Sequence, residues 1–226
     1  MLRINLKSKS NFFTKQTVIC FLFISCLGLT ASAQRFNGGM LAGFTATQID
    51  GDMLSGYDKP GVSGGFFINT KIKDFATKIE KADNINDTLT YTFHTFAQFE
   101  MKYIDKGARA SSYHVMRLRY IEFPVFAGIV IKNRYFAEAG LYAGYLFYQK
   151  FQDETGLHSP PTPYHKVDFG GLIGAGYKIN KHASVDFRYS YTFIRIYKIG
   201  DGNSPGPWYY RGHYNNVLNL NILYQF

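Results

Sequence analysis

The sequence predicts an all-β protein, an eight-stranded antiparallel up-and-down transmembrane β-barrel. Its 226 residues include 21 Phe, 18 Tyr and 22 Gly, a composition that favours strands and tight turns over helices. Apolar residues recur at every second position in eight separate runs, as expected of strands with one apolar face. After residue 33 the longest apolar stretch, residues 123–131, is far shorter than the ~18 residues that a membrane-spanning helix needs.

Residues 1–33 are predicted to be a cleaved secretory signal peptide, which leaves residues 34–226 as one barrel domain. Arg3 and three lysines precede a largely apolar stretch, and Ala31-Ser32-Ala33 fits a small-x-small cleavage site. Removing this segment leaves 21 basic and 16 acidic residues, a net charge of +5, and no cysteine. Because the remaining charges are scattered rather than gathered in a stripe, nucleic acid is not an expected partner.

The first half of the chain contains four predicted strands, each with an apolar face opposite small or polar residues. In the third strand, Phe99 and Met101 alternate with Glu100 and Lys102. In the fourth, the alternation is lost around Pro124, which cannot donate to a ladder and therefore predicts a bulge or bend. These runs are residues 40–48, 61–70, 93–103 and 113–131, and the fourth opens with Met116, Leu118 and Tyr120 on its apolar face and Arg117 and Arg119 opposite.

The second half contains four further predicted strands with the same alternation. In one of them Leu141 lies on the apolar face and Glu138 on the other, and in another Phe187 lies opposite Asp186 and Arg188. These runs are residues 135–149, 166–177, 183–193 and 214–226.

Period-two alternation alone does not separate a soluble β-protein from a membrane barrel. A soluble lipocalin-like barrel would put apolar residues inside. Here the faces that carry glycine and charged residues cannot make that core. The apolar faces also carry aromatic residues near the ends of the runs, as interfacial girdles require. The last strand ends on Phe226, which resembles the insertion signal of bacterial outer-membrane barrels. We therefore expect an outer-membrane protein whose apolar faces contact lipid.

The connections are expected to alternate between long external loops and short periplasmic turns. Residues 132–134 and 178–182 are short, and the connections expected outside the cell are longer and rich in Gly, Pro, Asp and Lys. The exception is residues 71–90, a long charged segment between the second and third strands. Two interpretations are open: a small periplasmic excursion, or a hairpin that the strand count misses.

Several motifs along the chain resemble the PorT-like outer-membrane β-barrel family of Bacteroidota. The similar segments are 120–124 (YIEFP), 139–145 (AGLYAGY), 168–170 (DFG), 174–177 (GAGY) and 187–191 (FRYSY), with a further similarity at 56–61 (GYDKPG). The resemblance covers nearly all of residues 34–226. It implies an outer-membrane barrel, and the founding member of the family implies a role in type IX protein secretion.

The inward faces of the predicted strands carry a near-balanced set of charges. Eight strands enclose an interior that side chains fill, so these groups are expected to pair and plug the lumen. A gated ion path or a ligand site is the functional alternative for the same residues. The predicted lumen charge network consists of Glu100, Lys102, Arg117, Arg119, Glu138, Asp168, Asp186 and Arg188.

One external loop has the composition of a protein-binding surface. It carries Trp208, Tyr209, Tyr210 and Arg211, residue types that dominate interaction hot spots, although an aromatic collar at the membrane interface explains them equally well. No cofactor or metal is expected, because the six histidines are scattered without ligand spacing.

The sequence favours a non-catalytic barrel that contacts outer-membrane lipid and acts in an envelope complex, with secretion proteins among the candidate partners. Two alternatives stay open. One is a lipid-modifying hydrolase, in which a histidine such as His94 would pair with a serine, although no nucleophile-elbow motif supports it. The other is a purely structural membrane barrel.

Overall fold

The described chain consists of strands and their connections. The predicted signal peptide lies outside the described part. In the computed structural model the described residues are 36–52, 56–80, 88–110, 114–159, 163–198 and 212–226. The strands are β1 (Phe36–Asp50), β2 (Lys59–Glu80), β3 (Thr88–Arg109), β4 (Val115–Ile131), β5 (Tyr135–Asp153), β6 (Gly156–His158), β7 (Val167–Lys178), β8 (Ala183–Thr192), β9 (Tyr197–Lys198) and β10 (Gly212–Gln225).

Eight of these strands form a closed antiparallel ring. Each pairs with the next in the order β1, β2, β3, β4, β5, β7, β8, β10, and β10 returns to pair with β1. The closing ladder runs from Gly39 opposite Gln225 to Asp50 opposite Tyr214. Closure removes the free sheet edges that would otherwise expose unpaired backbone groups. The predicted fold class is confirmed, and the short strands β6 and β9 are additions at one end.

The two ends of the ring differ in their connections. At the turn end, β4 and β5 are joined by residues 132–134, in which Lys132 and Asn133 have φ of 52° and 55°. Such left-handed pairs match the twist of an antiparallel hairpin. The β7–β8 turn at the same end is also short, and Asn180 accepts backbone hydrogen bonds at 2.8 Å from both His182 and Ala183. The opposite, loop end carries the longer connections.

The segment 71–90, predicted to be a small periplasmic excursion or a missed hairpin, mostly belongs to strands. β2 and β3 continue to pair from Lys71 opposite Phe96 as far as Glu80 opposite Thr88, with a bulge between Lys71 and Lys73. β4 leaves β3 at Phe93, so the last five residue pairs extend about 17 Å beyond the β4 contact at 3.4 Å per residue. The turn end therefore carries a projecting two-stranded ribbon, called here the β2–β3 ribbon (76–80 and 88–92).

The predicted irregularity near Pro124 lies elsewhere. Pro124 keeps its place in the ladder with β5, although the β3–β4 pairs beside it are missing and the register on either side is unchanged. The shift occurs between Arg119 and Tyr120, where β5 carries one extra residue. Alternation along β4 is consequently continuous, and Leu118 and Tyr120 are fully buried rather than outward-facing as predicted.

The remaining faces point as the alternation predicts. Phe187 and Leu220 are about half exposed, whereas Glu138 and Arg188 are buried. On β5 the outward residues run from Tyr135 to Phe147, about 40 Å of strand, which corresponds to about 30 Å of height at the usual barrel tilt. None of the described residues forms a helix with the length and apolar character that a bilayer span requires.

Candidate functional site: the interior of the barrel

Arg188 on β8 is the centre of the polar interior. Its Nε donates to Glu138 Oε1 at 2.5 Å, its Nη1 donates to Glu100 Oε2 at 2.8 Å, and its Nη2 lies 2.8 Å from Asp186 Oδ2. The guanidinium thus joins carboxylates from β3, β5 and β8 across the lumen. A planar five-donor group suits this task, because it can bind several carboxylates at fixed angles. We call these four residues the Arg188 cluster.

Neighbouring residues complete the Arg188 cluster. Gln98 donates to Glu100 at 2.7 Å, and Asn221 donates to Asp186 at 2.7 Å. Gly174 provides the space: a Cβ at this position would lie 2.9 Å from Glu138 Oε1 and 3.0 Å from Arg188 Cγ. Any side chain there would push against the cluster, so glycine is needed for a close approach.

Lys106 on β3 forms a second buried ion cluster nearer the loop end. Its Nζ lies 2.5 Å from Glu122 Oε1 and 2.8 Å from Asp168 Oδ2. The same ammonium lies over the rings of Tyr142 and Tyr120, at 4.5 and 5.1 Å from their centroids. Two carboxylates and two aromatic faces therefore surround one compact cation. We call these five residues the Lys106 cluster.

Asp168 has the fullest set of partners in the Lys106 cluster. Besides Lys106, it accepts hydrogen bonds at 2.8 Å from both Thr192 and Asn215, and Tyr142 donates to it at 3.4 Å. Lys102 lies between the two clusters, 3.7 Å from Glu122. Because buried carboxylates are costly unless paired and hydrogen-bonded, these contacts stabilise the closed barrel and fill the lumen.

An apolar group closes the loop end above the Lys106 cluster. Tyr164, a member of this group, packs against Tyr197 of β9 and His213 of β10, with ring centroids 4.9 to 5.7 Å apart. Tyr164 Oη lies 2.9 Å from His213 Nδ1, and burial lowers the pKa of His213 to about 4. The group, called here the loop plug, consists of Ile49, Ile104, Ala108, Leu118, Tyr120, Leu146, Tyr164, Ile196 and Val217.

Residues 31–198 match the family described as "Outer membrane protein beta-barrel domain". The chain belongs to this family. It is therefore an outer-membrane β-barrel, in agreement with the closed ring and the outward belt of exposed apolar side chains. No curated protein matches the sequence.

Several solved structures resemble this outer-membrane barrel. One is Ail, the attachment invasion locus protein of Yersinia pestis, in complex with the heparin analogue sucrose octasulfate, with 16% identity, a TM-score of 0.38, and coverage of 85% of this chain and 99% of that chain. Neisserial surface protein A has 13% identity and a TM-score of 0.48, covering 84% and 97%. OprG of Pseudomonas aeruginosa has 11% identity and a TM-score of 0.32, covering 84% and 94%.

The barrel brings together most of the predicted lumen charges but not all of them. The Arg188 cluster contains Glu100, Glu138, Asp186 and Arg188. Asp168 is a member of the Lys106 cluster, and Lys102 lies beside it, near Glu122. Arg117 and Arg119 are half-buried and join neither cluster. Arg117 donates to Gln152 at 3.1 Å, and the Arg119 guanidinium lies 4.4 Å above the Tyr148 ring.

Lys106 and Glu122 are central to the interior and were not among the predicted site residues. The predicted third strand stops at Tyr103, whereas β3 runs to Arg109, and the inward parity of Glu100 and Lys102 extends through Ile104 to Lys106. Continuing that parity by two steps is the signal that could have found Lys106. The predicted binding loop, Trp208, Tyr209, Tyr210 and Arg211, lies outside the described residues.

The histidine of the hydrolase alternative, His94, lines a cavity at the turn end of the lumen. Among the described hydrogen bonds, none joins His94 to a serine hydroxyl. A second polar group, formed by Thr155, His158 and Asp153 at the loop end, has both Thr155 Oγ1 and Asp153 Oδ1 near the same imidazole nitrogen, at 2.8 and 3.3 Å. This arrangement stabilises an exposed turn, since a relay needs the two partners on different nitrogens.

Proposed function

We propose that this chain is a non-catalytic outer-membrane barrel that acts as an interaction or assembly component of an envelope complex. The β2–β3 ribbon carries the proposal, because it projects from an end whose other described connections are short turns. Beyond Phe75 and Phe93 each strand of the ribbon has one described neighbour, so a backbone edge is available on either side. Exposed edges of this kind accept an added strand from a partner.

The filled lumen supports the same proposal. The Arg188 cluster, the Lys106 cluster and the loop plug follow one another along the barrel, which is consistent with a scaffold rather than a channel. The short turns favour a periplasmic position for the turn end, so the ribbon would point towards periplasmic partners. The similarity of residues 120–124 and 187–191 to the PorT-like family favours the type IX secretion apparatus as the complex.

Shortening the ribbon tests the proposed docking element. Residues 76–92 are replaced by Asn-Gly, which links the paired Phe75 and Phe93 through a two-residue hairpin turn. We expect the variant to keep the heat-modifiable gel migration of a folded barrel and to lose partners captured by cross-linking in intact envelopes. A matched control, Glu154→Asn with Thr155→Gly, changes the turn between β5 and β6 at the loop end. This control should still capture the cross-linked partners.

Co-purification of the same partners with the shortened and the full ribbon would contradict docking through this element. The secretion assignment has its own test, since deletion of the whole chain should leave cargo of the type IX pathway in the periplasm. An unchanged secretome would reject secretion and leave the envelope-complex proposal standing. A mass shift in outer-membrane lipid that depends on His94 would contradict a non-catalytic role.

A further inference from the structure

The lumen opens at the turn end into a cavity of about 510 Å³. Phe67, Phe136 and Leu223, all buried, supply apolar wall, and Gln98 and Glu138, the latter a member of the Arg188 cluster, line the cavity farther along their strands. The volume falls within the range of small-molecule sites, which combine apolar walls with a few polar groups. None of the residues of the loop plug is among the described residues that line this cavity.

Cations predominate around the cavity. Lys71, Arg134, Lys178 and Lys181 all line it, and Glu138 is the one carboxylate among the described lining residues. Glu138 already binds Arg188 at 2.5 Å, and Lys71 has an exposed partner in Asp74 at 2.6 Å. No described carboxylate forms an ion pair with the other three lining cations.

The cations also act on one another. The pKa of Lys178 is lowered by burial and by the positive charge of Lys71. Lys178 lies beyond the outward Tyr135–Tyr177 ring pair, at the rim of the barrel. An anion bound beside Lys178 would offset both the burial of its ammonium group and this repulsion.

We propose that the turn-end cavity binds an amphiphilic anion. Its carboxylate or phosphate group would be held by Lys178 and Arg134, and its apolar or aromatic part would pack against Phe67 and Phe136. The polar rim and the aromatic wall are both needed, because screened surface charges alone give weak binding and an apolar wall alone gives no charge selectivity.

Three small probes test the charge and the apolar requirement separately. The barrel is placed in nanodiscs of zwitterionic lipid, and binding of phenyl phosphate, inorganic phosphate and benzyltrimethylammonium is measured by ligand-observed NMR. We expect phenyl phosphate to bind at least about tenfold more tightly than either comparator, a difference of about 1.4 kcal/mol. Raising the salt concentration should weaken its binding.

Variants assign the binding to the cavity. Lys178→Gln combined with Arg134→Gln should weaken phenyl phosphate binding at least about tenfold, and Lys178→Arg with Arg134→Lys should retain most of it. Lys150→Gln is the matched control, since Lys150 lies on β5 towards the loop end and donates to Ser159 at 3.3 Å. It should leave binding unchanged.

Equal binding of the three probes would overturn the proposal. Because this comparison is made on the unaltered chain, it does not depend on the folding of any variant. Full binding by a Lys178→Gln, Arg134→Gln barrel that retains heat-modifiable migration would overturn it as well. The outcome is independent of the proposed docking role, because the ribbon-shortened variant keeps Lys71, Arg134, Lys178 and Lys181 and should bind phenyl phosphate normally.

Discussion

The two halves of the barrel interior are each centred on one fully buried cation, Arg188 or Lys106, and the two cations are bound differently. In the turn half, Arg188 spreads three directional contacts over carboxylates of three strands. In the loop half, Lys106 lies between two carboxylates and two tyrosine rings. The Arg188 cluster borders an open cavity, whereas the Lys106 cluster lies beneath the loop plug. The comparison shows that the same lumen can be packed with apolar side chains at one end and open into a cavity at the other.

Replacing Arg188 should have the largest effect on stability. Arg188→Leu leaves three buried carboxylates without their common cation, so we expect the free energy of unfolding to fall by about 5 kcal/mol. Urea-induced unfolding in lipid vesicles, followed by gel migration, measures it. Arg188→Lys keeps the charge but has fewer donors in a different geometry, and it should give an intermediate loss.

Replacing Lys106 should cost less, because Asp168 keeps its hydrogen bonds from Thr192 and Asn215. We expect Lys106→Met to lower the unfolding free energy by about 3 kcal/mol. Adding Asp168→Asn should recover part of this loss, since the side chains at positions 106 and 168 are then both neutral. The double-mutant cycle gives the interaction energy between these two positions. If Lys106→Met destabilises the barrel more than Arg188→Leu does, the proposed difference between the halves is wrong.

The loop plug should respond to acid through His213. Its pKa is about 4 in the folded barrel because of burial, below the ordinary value near 6.5, so the unfolded chain binds the proton more readily. The stability from neutral His213 is fully present above pH about 6.5 and is lost as the pH falls towards 4. With allowance for the partial exposure of His213, we expect the free energy of unfolding to fall by roughly 1–2 kcal/mol over this pH range. NMR titration of the imidazole checks the midpoint, and one at 6.5 or above would contradict the burial argument.

Tyr142→Phe should have the smallest effect. The ring that faces Lys106 is retained, while the hydroxyl loses its contacts with Asp168 at 3.4 Å and Thr192 at 3.1 Å. We expect a loss of about 1 kcal/mol in the same urea experiment. A loss as large as that of Lys106→Met would mean that the hydroxyl, rather than the ammonium, holds the loop half together.

Most of the fold could be predicted from alternation, because a strand with lipid on one side and a filled lumen on the other must alternate along its length. The rule of apolar outside and charged inside fails in the loop half of β4. There Leu118 and Tyr120 contribute to the loop plug while Arg117 and Arg119 stay half-buried. An apolar closure inside a membrane barrel has the same sequence pattern as a lipid-facing strand.

The candidate site was less predictable than the fold. The sequence identifies Glu100 and Arg188 as inward residues, but they are 88 positions apart, and their contact depends on strand stagger and tilt around the ring. The sequence of segment 71–90 predicts a periplasmic excursion or a missed hairpin, because its lysines, aspartates and asparagines have a low strand propensity. Pairing between its two strands overrides that propensity.

Ring closure between β1 and β10 also constrains how the barrel is made. The two strands that meet at Gly39 and Gln225 are separated by almost the whole described chain, so the seam cannot form until the C-terminal strand has been synthesised and exported. Until then the unfinished sheet has two unpaired edges and an apolar outer surface without lipid, a state prone to aggregation. Delivery to the membrane in the company of a chaperone is the expected solution, and loss of β10 alone should send the nascent chain to periplasmic proteases.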